Sequence, residues 1–296
     1  MSLFDRAVAR ALPAVPKPVV QLFSQRYIAG STLQDAVDVV HRLNDEGKVA
    51  TIDVLGEEIA REDEARAIAQ AYRDVFAAIE RDALSSNVSI KLTALGLDLS
   101  YDLCRENVDS IVAQGKFVRI DMEDASTTDE TLRLYRELRE DGHDNVGVVL
   151  QARLRRTLGD IAALADLRPN VRLCKGIYPE RSAIAFTDYE AIRANFVQAL
   201  RALSAVDGAH VAIATHDEWL LGEALRALPP SHEFQMLLGV REERASRLVR
   251  EGHRVRIYVP FGEQWYRYSL RRLQENPAMA GTIARSTIGR LLGRGS

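Results

Sequence analysis

The chain has 296 residues, 47% of them hydrophobic and 27% charged, with a net charge of −3 and a pI near 6.1. That length is enough for one large α/β barrel or two smaller domains, and the charge balance gives no global field that favours nucleic acid. Cys104 and Cys174 stand far apart with no CxxC, which argues against a disulfide framework or a structural zinc site and fits a reducing cytosol.

Asp5, Arg6 and Arg10 interrupt the apolar pattern of residues 1–12, so no signal-peptide core is read there. No uncharged apolar run approaches the roughly 18 residues of a membrane-spanning helix. Residues 19–27 and 33–43 look helical, and the expectation is a helical segment, 1–48, that caps the rest of the fold. A first strand reads at 49–55 and a charged helical stretch at 57–81. Strands come next at 88–92 and 117–121, a helix at 129–141, then strands at 146–151 and 171–175. After these come a helix at 188–205, a strand at 211–215, a helix at 219–228, a strand at 233–237, a helix at 242–251 and a last strand at 255–259. Asp129 and Asp188 mark helix starts, where a carboxylate meets the positive end of the macrodipole. Eight alternating strand–helix units predict an α/β fold, a (β/α)8 barrel over 49–296 in one domain. An open doubly wound sheet is the alternative, but no G-x-G-x-x-G or G-x-x-x-x-G-K-[ST] succeeds the first strand.

Pro260 and Gly262 break the last strand, and an amphipathic helix with the adjacent pair Arg271 and Arg272 comes after it, with Tyr268 and Glu275 on nearby turns. Guanidinium forks match a carboxylate or phosphate, so a small-anion pocket is one reading and a solvated helix face the other. The chain holds 34 arginines against five lysines, Lys17, Lys48, Lys91, Lys116 and Lys175, which makes each lysine informative. Barrel chemistry sits at the C-terminal ends of strands. Those ends carry Lys91, Asp121 with Met122 and Glu123, Gln151, Lys175 with Gly176, Thr215 with His216, Gln235, Leu237 and Tyr258, a polar and partly cationic mouth. Arg172, early in the fifth strand, needs a partner if buried, and Asp121 is the candidate. No H-x-H, H-E-x-x-H or G-x-S-x-G occurs, and Cys174 reads as core. Cations, amides and hydroxyls without a metal or nucleophile signature suggest an organic cofactor that supplies the reactivity.

The segments Ser89-Ile-Lys-Leu-Thr-Ala-Leu95, Arg119-Ile-Asp-Met-Glu123, Val149-Leu-Gln-Ala152, Arg172-Leu-Cys-Lys-Gly-Ile-Tyr178, Ala214-Thr-His216, Glu233-Phe-Gln235, Arg256-Ile-Tyr-Val-Pro260 and Arg271-Arg272-Leu-Gln-Glu-Asn276 run in order along the chain. Together they resemble proline dehydrogenase in its short monofunctional bacterial form. The resemblance implies a distorted (β/α)8 TIM-type barrel with an N-terminal helical cap and noncovalently bound FAD. It implies oxidation of L-proline to Δ1-pyrroline-5-carboxylate, with hydride passing from C5 to flavin N5 and electrons to a quinone. It assigns Lys91, Arg271 and Arg272 to the proline carboxylate, Tyr258 and Leu237 to the ring, and Glu275 to orienting the arginine pair. Asp121 and Arg172 fall at catalytic or site-organising positions. Met122, Gln151, Arg172, Lys175, Gly176, Ile177, Thr215 and His216 fall on the flavin.

Ile177 and Pro179 depart from the family's Lys-Gly-Ala-Tyr followed by a large residue, and Asp217 stands where longer bifunctional forms often have Asn. Trp265 and Tyr266 also differ from those forms. The competing expectations are a flavin oxidoreductase on another cyclic amino acid such as hydroxyproline, and a noncatalytic amino-acid-binding barrel. Residues 283–294 set Arg285, Arg290 and Arg294 among apolar residues, which reads as an ordinary terminal helix, with an interfacial membrane helix as the alternative. The expectation is a cytoplasmic protein, with peripheral contact at the inner face of the cell membrane as the alternative. The resemblance also implies functional coupling to a separate pyrroline-5-carboxylate dehydrogenase, which would carry out the product's next oxidation.

Overall fold

The computed structural model describes residues 26–56, 59–228, 232–266, 268 and 269. Eight parallel strands close into a barrel in sequence order: β1 (Val49–Val54), β2 (Ser86–Ile90), β3 (Val118–Ile120), β4 (Val146–Gln151), β5 (Asn170–Cys174), β6 (His210–Ala214), β7 (Glu233–Leu237) and β8 (Arg254–Phe261). Closure is made by β8 on β1, paired over six positions from Val49 with Arg256 to Val54 with Phe261. The strands are buried almost throughout, as parallel strands covered on both faces must be, and all six residues of β4 are enclosed.

The helices are α1 (Leu33–Asp45), α2 (Glu62–Arg81), α3 (Tyr101–Val112), α4 (Thr128–Glu140), α5 (Thr157–Leu164), α6 (Tyr189–Ser204), α7 (Glu218–Ala227) and α8 (Glu242–Arg250). Helical periodicity explains their docking. In α2 the buried side chains Ala65, Ala69, Tyr72, Phe76 and Ile79 recur at intervals of three and four and lie against the barrel. Polar side chains start several helices: Thr32 and Asp35 form a reciprocal capping box at α1, and Asp188 accepts from Ala191 N at 2.9 Å at α6. Helix α1 packs on β1 and β8, so it covers the seam where the barrel closes.

β4 and β7 match the sequence reading, four strands differ from it by a single residue at one or both ends, and β2 and β8 depart by two. β2 begins and ends two residues earlier than 88–92, because Ser86 and Asn87, which look like turn formers, pair with Ala50 and Thr51 of β1. Leu92 instead opens a 3₁₀ turn, Thr93–Leu95, which leaves Lys91 just beyond the strand. β8 runs on through Pro260, whose missing N–H is no obstacle here. Its carbonyl accepts from Ala29 N at 2.9 Å, and Phe261 O accepts from Leu55 N at 2.8 Å.

Candidate active site

The barrel interior is built from charge rather than from branched aliphatics. At its floor, Glu233 of β7 accepts from Arg256 at 2.8 and 3.0 Å and from Arg254 at 2.9 Å. Arg119 of β3 donates to backbone and amide oxygens, Val148 O at 3.0 Å, Asn170 O at 2.7 Å and Asn170 Oδ1 at 2.6 Å. Gly147 makes room for it, since a Cβ there would collide with Arg119 Nη1. Burial, and then the neighbouring Arg172 charge, pull the Arg119 pKa below the usual guanidinium value.

One layer higher, Gln235 links floor to mouth. Its amide donates to Glu233 Oε1 at 2.7 Å, and its oxygen accepts from Arg172 Nε. Arg172 Nη1 then bonds Asp121 Oδ1 at 2.6 Å, the pairing the sequence suggested, and lies 3.3 Å from Ser89 Oγ. Ser89 Oγ donates to the same carboxylate oxygen at 2.6 Å. Arg172 Nη2 is buried with no hydrogen-bond partner among the described residues.

At the mouth, Tyr258 donates to Asp121 Oδ2 at 2.9 Å and accepts from Lys91 Nζ at 3.2 Å. Lys91 Nζ is 2.7 Å from both oxygens of Asp53, whose side chain is wholly buried. Burial alone works against the ammonium, but the carboxylates of Asp53 and Asp121 more than offset it, and the Lys91 pKa is raised. Burial, with Asp121 and Asp53 nearby, holds the Tyr258 phenol well above its ordinary value. Leu237 pairs with Tyr258 across the β7–β8 ladder, which sets the two on neighbouring strand ends.

Beside this network, Gln151 donates to Met122 O at 3.1 Å and to Glu123 O at 2.6 Å, tying β4 to the end of β3. His216 Nε2 accepts from Leu237 N at 3.1 Å, and Thr215 Oγ1 accepts from Asp217 N at 3.1 Å. Lys175 Nζ lies 3.3 Å from Asp217, which also binds Arg193 at 2.8 and 2.9 Å and Tyr189 Oη at 2.5 Å. Burial opposes the Asp217 charge, yet these partners hold its carboxyl well below the usual range. Ile177 is exposed on the loop after Gly176. Burial pushes the Cys174 thiol up to about 11, so it is not poised as a nucleophile.

A family model described as proline dehydrogenase matches residues 36–285. The chain belongs to the proline dehydrogenase family. It is 40% identical over 278 residues to proline dehydrogenase 1 of Bacillus subtilis (strain 168), covering 90% of this chain and 91% of that protein. It is 34% identical over 283 residues to the proline dehydrogenase of Deinococcus radiodurans, covering 90% of each. Among solved structures, proline utilization A (PutA) from Bdellovibrio bacteriovorus superposes with a TM-score of 0.79 at 25% identity over 86% of this chain, which spans 32% of that one. PutA from Corynebacterium freiburgense, at 20% identity and a TM-score of 0.75, shares the fold over 97% of this chain and 34% of its own. As a member of the proline dehydrogenase family, the chain is an oxidoreductase of proline catabolism.

The proline dehydrogenase family works with a flavin, and the mouth has features that fit one. Arg172 Nη2 is a buried donor without a partner among the described residues, and Gly176, at φ +89°, keeps clear a space that a side chain would fill against Gln151. Lys175, Thr215 and His216 add donors on the adjacent strand ends β5 and β6. Of the residues expected in the site, Lys91, Asp121, Arg172 and Tyr258 are drawn into one network, while Arg271, Arg272 and Glu275 lie outside the described residues. Sequence reasoning assigned no role to Asp53, Ser89 or Tyr72, all of which touch that network or its supports. The signal for Asp53 was a carboxylate between Ile52 and Val54 in a largely apolar strand.

Proposed function

We propose that this barrel oxidises L-proline to Δ1-pyrroline-5-carboxylate with FAD as its cofactor and a quinone as the final acceptor. The observation that carries the reading is the fixed chain Asp53–Lys91–Tyr258–Asp121–Arg172, which sets a permanent cation and an aromatic ring side by side at the mouth. Proline is a small zwitterion. Lys91, with Arg271 and Arg272, holds its carboxylate, and Tyr258 and Leu237 flank its ring, which fixes the orientation of C5; positioning of this kind contributes several kcal/mol. Glu275 orients the arginine pair. Asp121 and Arg172 hold Tyr258 and the floor of the pocket in register.

FAD, when bound, supplies the acceptor for the hydride that leaves C5. Met122, Gln151, Arg172, Lys175, Gly176, Ile177, Thr215 and His216 form its seat. The amine must also lose a proton. Asp53 and Asp121 are each engaged by cations, so we assign that proton to solvent. The product is then oxidised by a separate pyrroline-5-carboxylate dehydrogenase. We also propose a single domain, with a cap over 1–48 and a catalytic barrel over 49–296, of which residues 1–25 and 270–296 lie outside the described residues. Among the described residues no helix is long and apolar enough to cross a membrane, and we place the enzyme in the cytoplasm, with peripheral contact to the inner face of the cell membrane where it meets its quinone.

The test is the visible spectrum of the purified protein, followed by anaerobic addition of L-proline and, separately, of hydroxyproline. A flavin band that bleaches with proline and not with hydroxyproline is expected. A band that proline leaves unchanged would reject the substrate, and a colourless protein that FAD fails to reconstitute would reject the cofactor.

A further inference from the structure

The ladder between β1 and β2 pairs Ala50 with Ser86, Thr51 with Asn87 and Ile52 with Val88, and there it stops, although both strands continue. The hydroxyl of Tyr72, carried by α2 outside the barrel, sits where the ladder ends. It accepts from Val54 N at 3.3 Å and donates to Ser89 O at 2.7 Å, so it satisfies a backbone donor on one strand and an acceptor on the other. Tyr72 is buried, with an exposure of 1%. Its Oη also lies 3.2 Å from Asp53 Oδ1. A phenol has one proton, and the closer acceptor, Ser89 O, takes it. Both oxygens of Asp53 are thereby left to Lys91, at 2.7 Å each.

The ammonium has three protons. Two face Asp53 and the third faces Tyr258 Oη, at 3.2 Å the longest of these contacts and the one a substrate carboxylate can take over, while Tyr258 donates to Asp121. Lys91 is therefore held on three sides. One anchor, Asp53, is seated between strands that Tyr72 keeps parted.

We propose that Tyr72 is a positioning residue for Lys91, acting through Asp53: its hydroxyl splits β1 from β2 so that the Asp53 carboxylate faces the Lys91 ammonium and keeps it fixed and charged for the substrate carboxylate. The inference rests on the reading of Lys91 as a substrate-binding cation, and the experiment separates the two.

Steady-state kinetics of the flavin-loaded enzyme are compared for wild type, Tyr72→Phe, Lys91→Ala and the double variant. Tyr72→Phe should raise KM for proline about tenfold and change kcat less, whereas in the Lys91→Ala background the same change should leave KM where Lys91→Ala already put it, since residues acting as a unit are not additive. An equal rise in both backgrounds would show that Tyr72 acts on the fold in general and would overturn the proposal. If Lys91→Ala leaves KM untouched, the reading of Lys91 falls and this inference falls with it.

Asp53→Asn gives a second, independent readout should Tyr72→Phe fold poorly. It removes the nearer of the two carboxylates that raise the Lys91 pKa, so the ammonium is lost at lower pH. KM for proline should therefore climb at a lower pH on the alkaline side than in wild type. An alkaline limb identical to wild type would overturn the proposal.

Discussion

Gly176 shows how narrowly the mouth is fitted at the level of one residue. It has φ +89°, and an added Cβ would lie 2.5 Å from Gln151 Oε1 and 3.1 Å from Gln151 Cβ. Gln151 has no freedom to retreat, because its amide holds Met122 O and Glu123 O together. Left-handed backbone costs an L-residue roughly 1–2 kcal/mol even before the collision. Gly176→Ala should therefore lower the flavin retained per protein through purification, read as the ratio of visible to ultraviolet absorbance. Full flavin content in the variant would show that this turn does not shape the seat. Gly176, Lys91, Asp121 and Tyr258 could be found in the sequence because each succeeds or ends an apolar run at a predictable place. Asp53 and Tyr72 could not. Asp53 sits inside its strand, and Tyr72 reads as one more member of the apolar stripe of α2 at helical spacing. Nothing local in either segment says that a helix hydroxyl reaches between two strands, since that contact depends on how α2 docks.

At the scale of an element, β7 shows how a strand can carry charge through the centre of a barrel. Its bounds match the sequence reading, but the role of Glu233 at its start depends on Arg254 and Arg256 of β8, 21 and 23 residues away. Burial pushes the Glu233 carboxyl up, yet Arg256, with Gln235 and Arg254, outweighs it and brings the pKa down to about 2 from an ordinary 4.5. A depressed carboxylate pKa contributes stability that is fully present above the unfolded value and lost as pH falls towards the folded one. The window here is pH 4.5 down to about 2, and a shift of this size is worth about 3 kcal/mol. Glu233→Gln should destabilise the protein by a similar amount near neutrality, because Arg256 is left buried and without its carboxylate. Urea unfolding at a series of pH values should show that deficit narrowing as the pH drops through the window. A deficit that stays constant would mean that Glu233 is not the charged partner of these arginines. The strand shifts have the same origin. Ser86 and Asn87 look like a turn from their own propensities, and only pairing with β1 makes them strand.

For the whole molecule, eight strand–helix units could be counted from alternating runs of apolar and charged residues, and a helix at 33–43 was visible ahead of them. Which seam that helix covers was not visible, because it is decided by closure of β8 on β1, more than 200 residues apart in sequence. The segment before α1 is tied into the same seam. Ala29 N donates to Pro260 O at 2.9 Å, Gly262 N donates to Gly30 O at 3.0 Å, and Arg26 Nε donates to Gly239 O at 2.9 Å. A barrel whose closing strands are covered by an N-terminal helix should unfold with that helix, not after it. Val40 of α1 is fully buried against this core, and Val40→Ala removes two methyl groups at a cost of about 2 kcal/mol once the cavity is included. For a chain of this size that lowers Tm by about 5 °C. Calorimetry should show the single transition moving as a whole, with flavin release moving by the same amount. If the helix were a separate unit, the substitution would instead split off an early transition and leave the main one, and the flavin, in place.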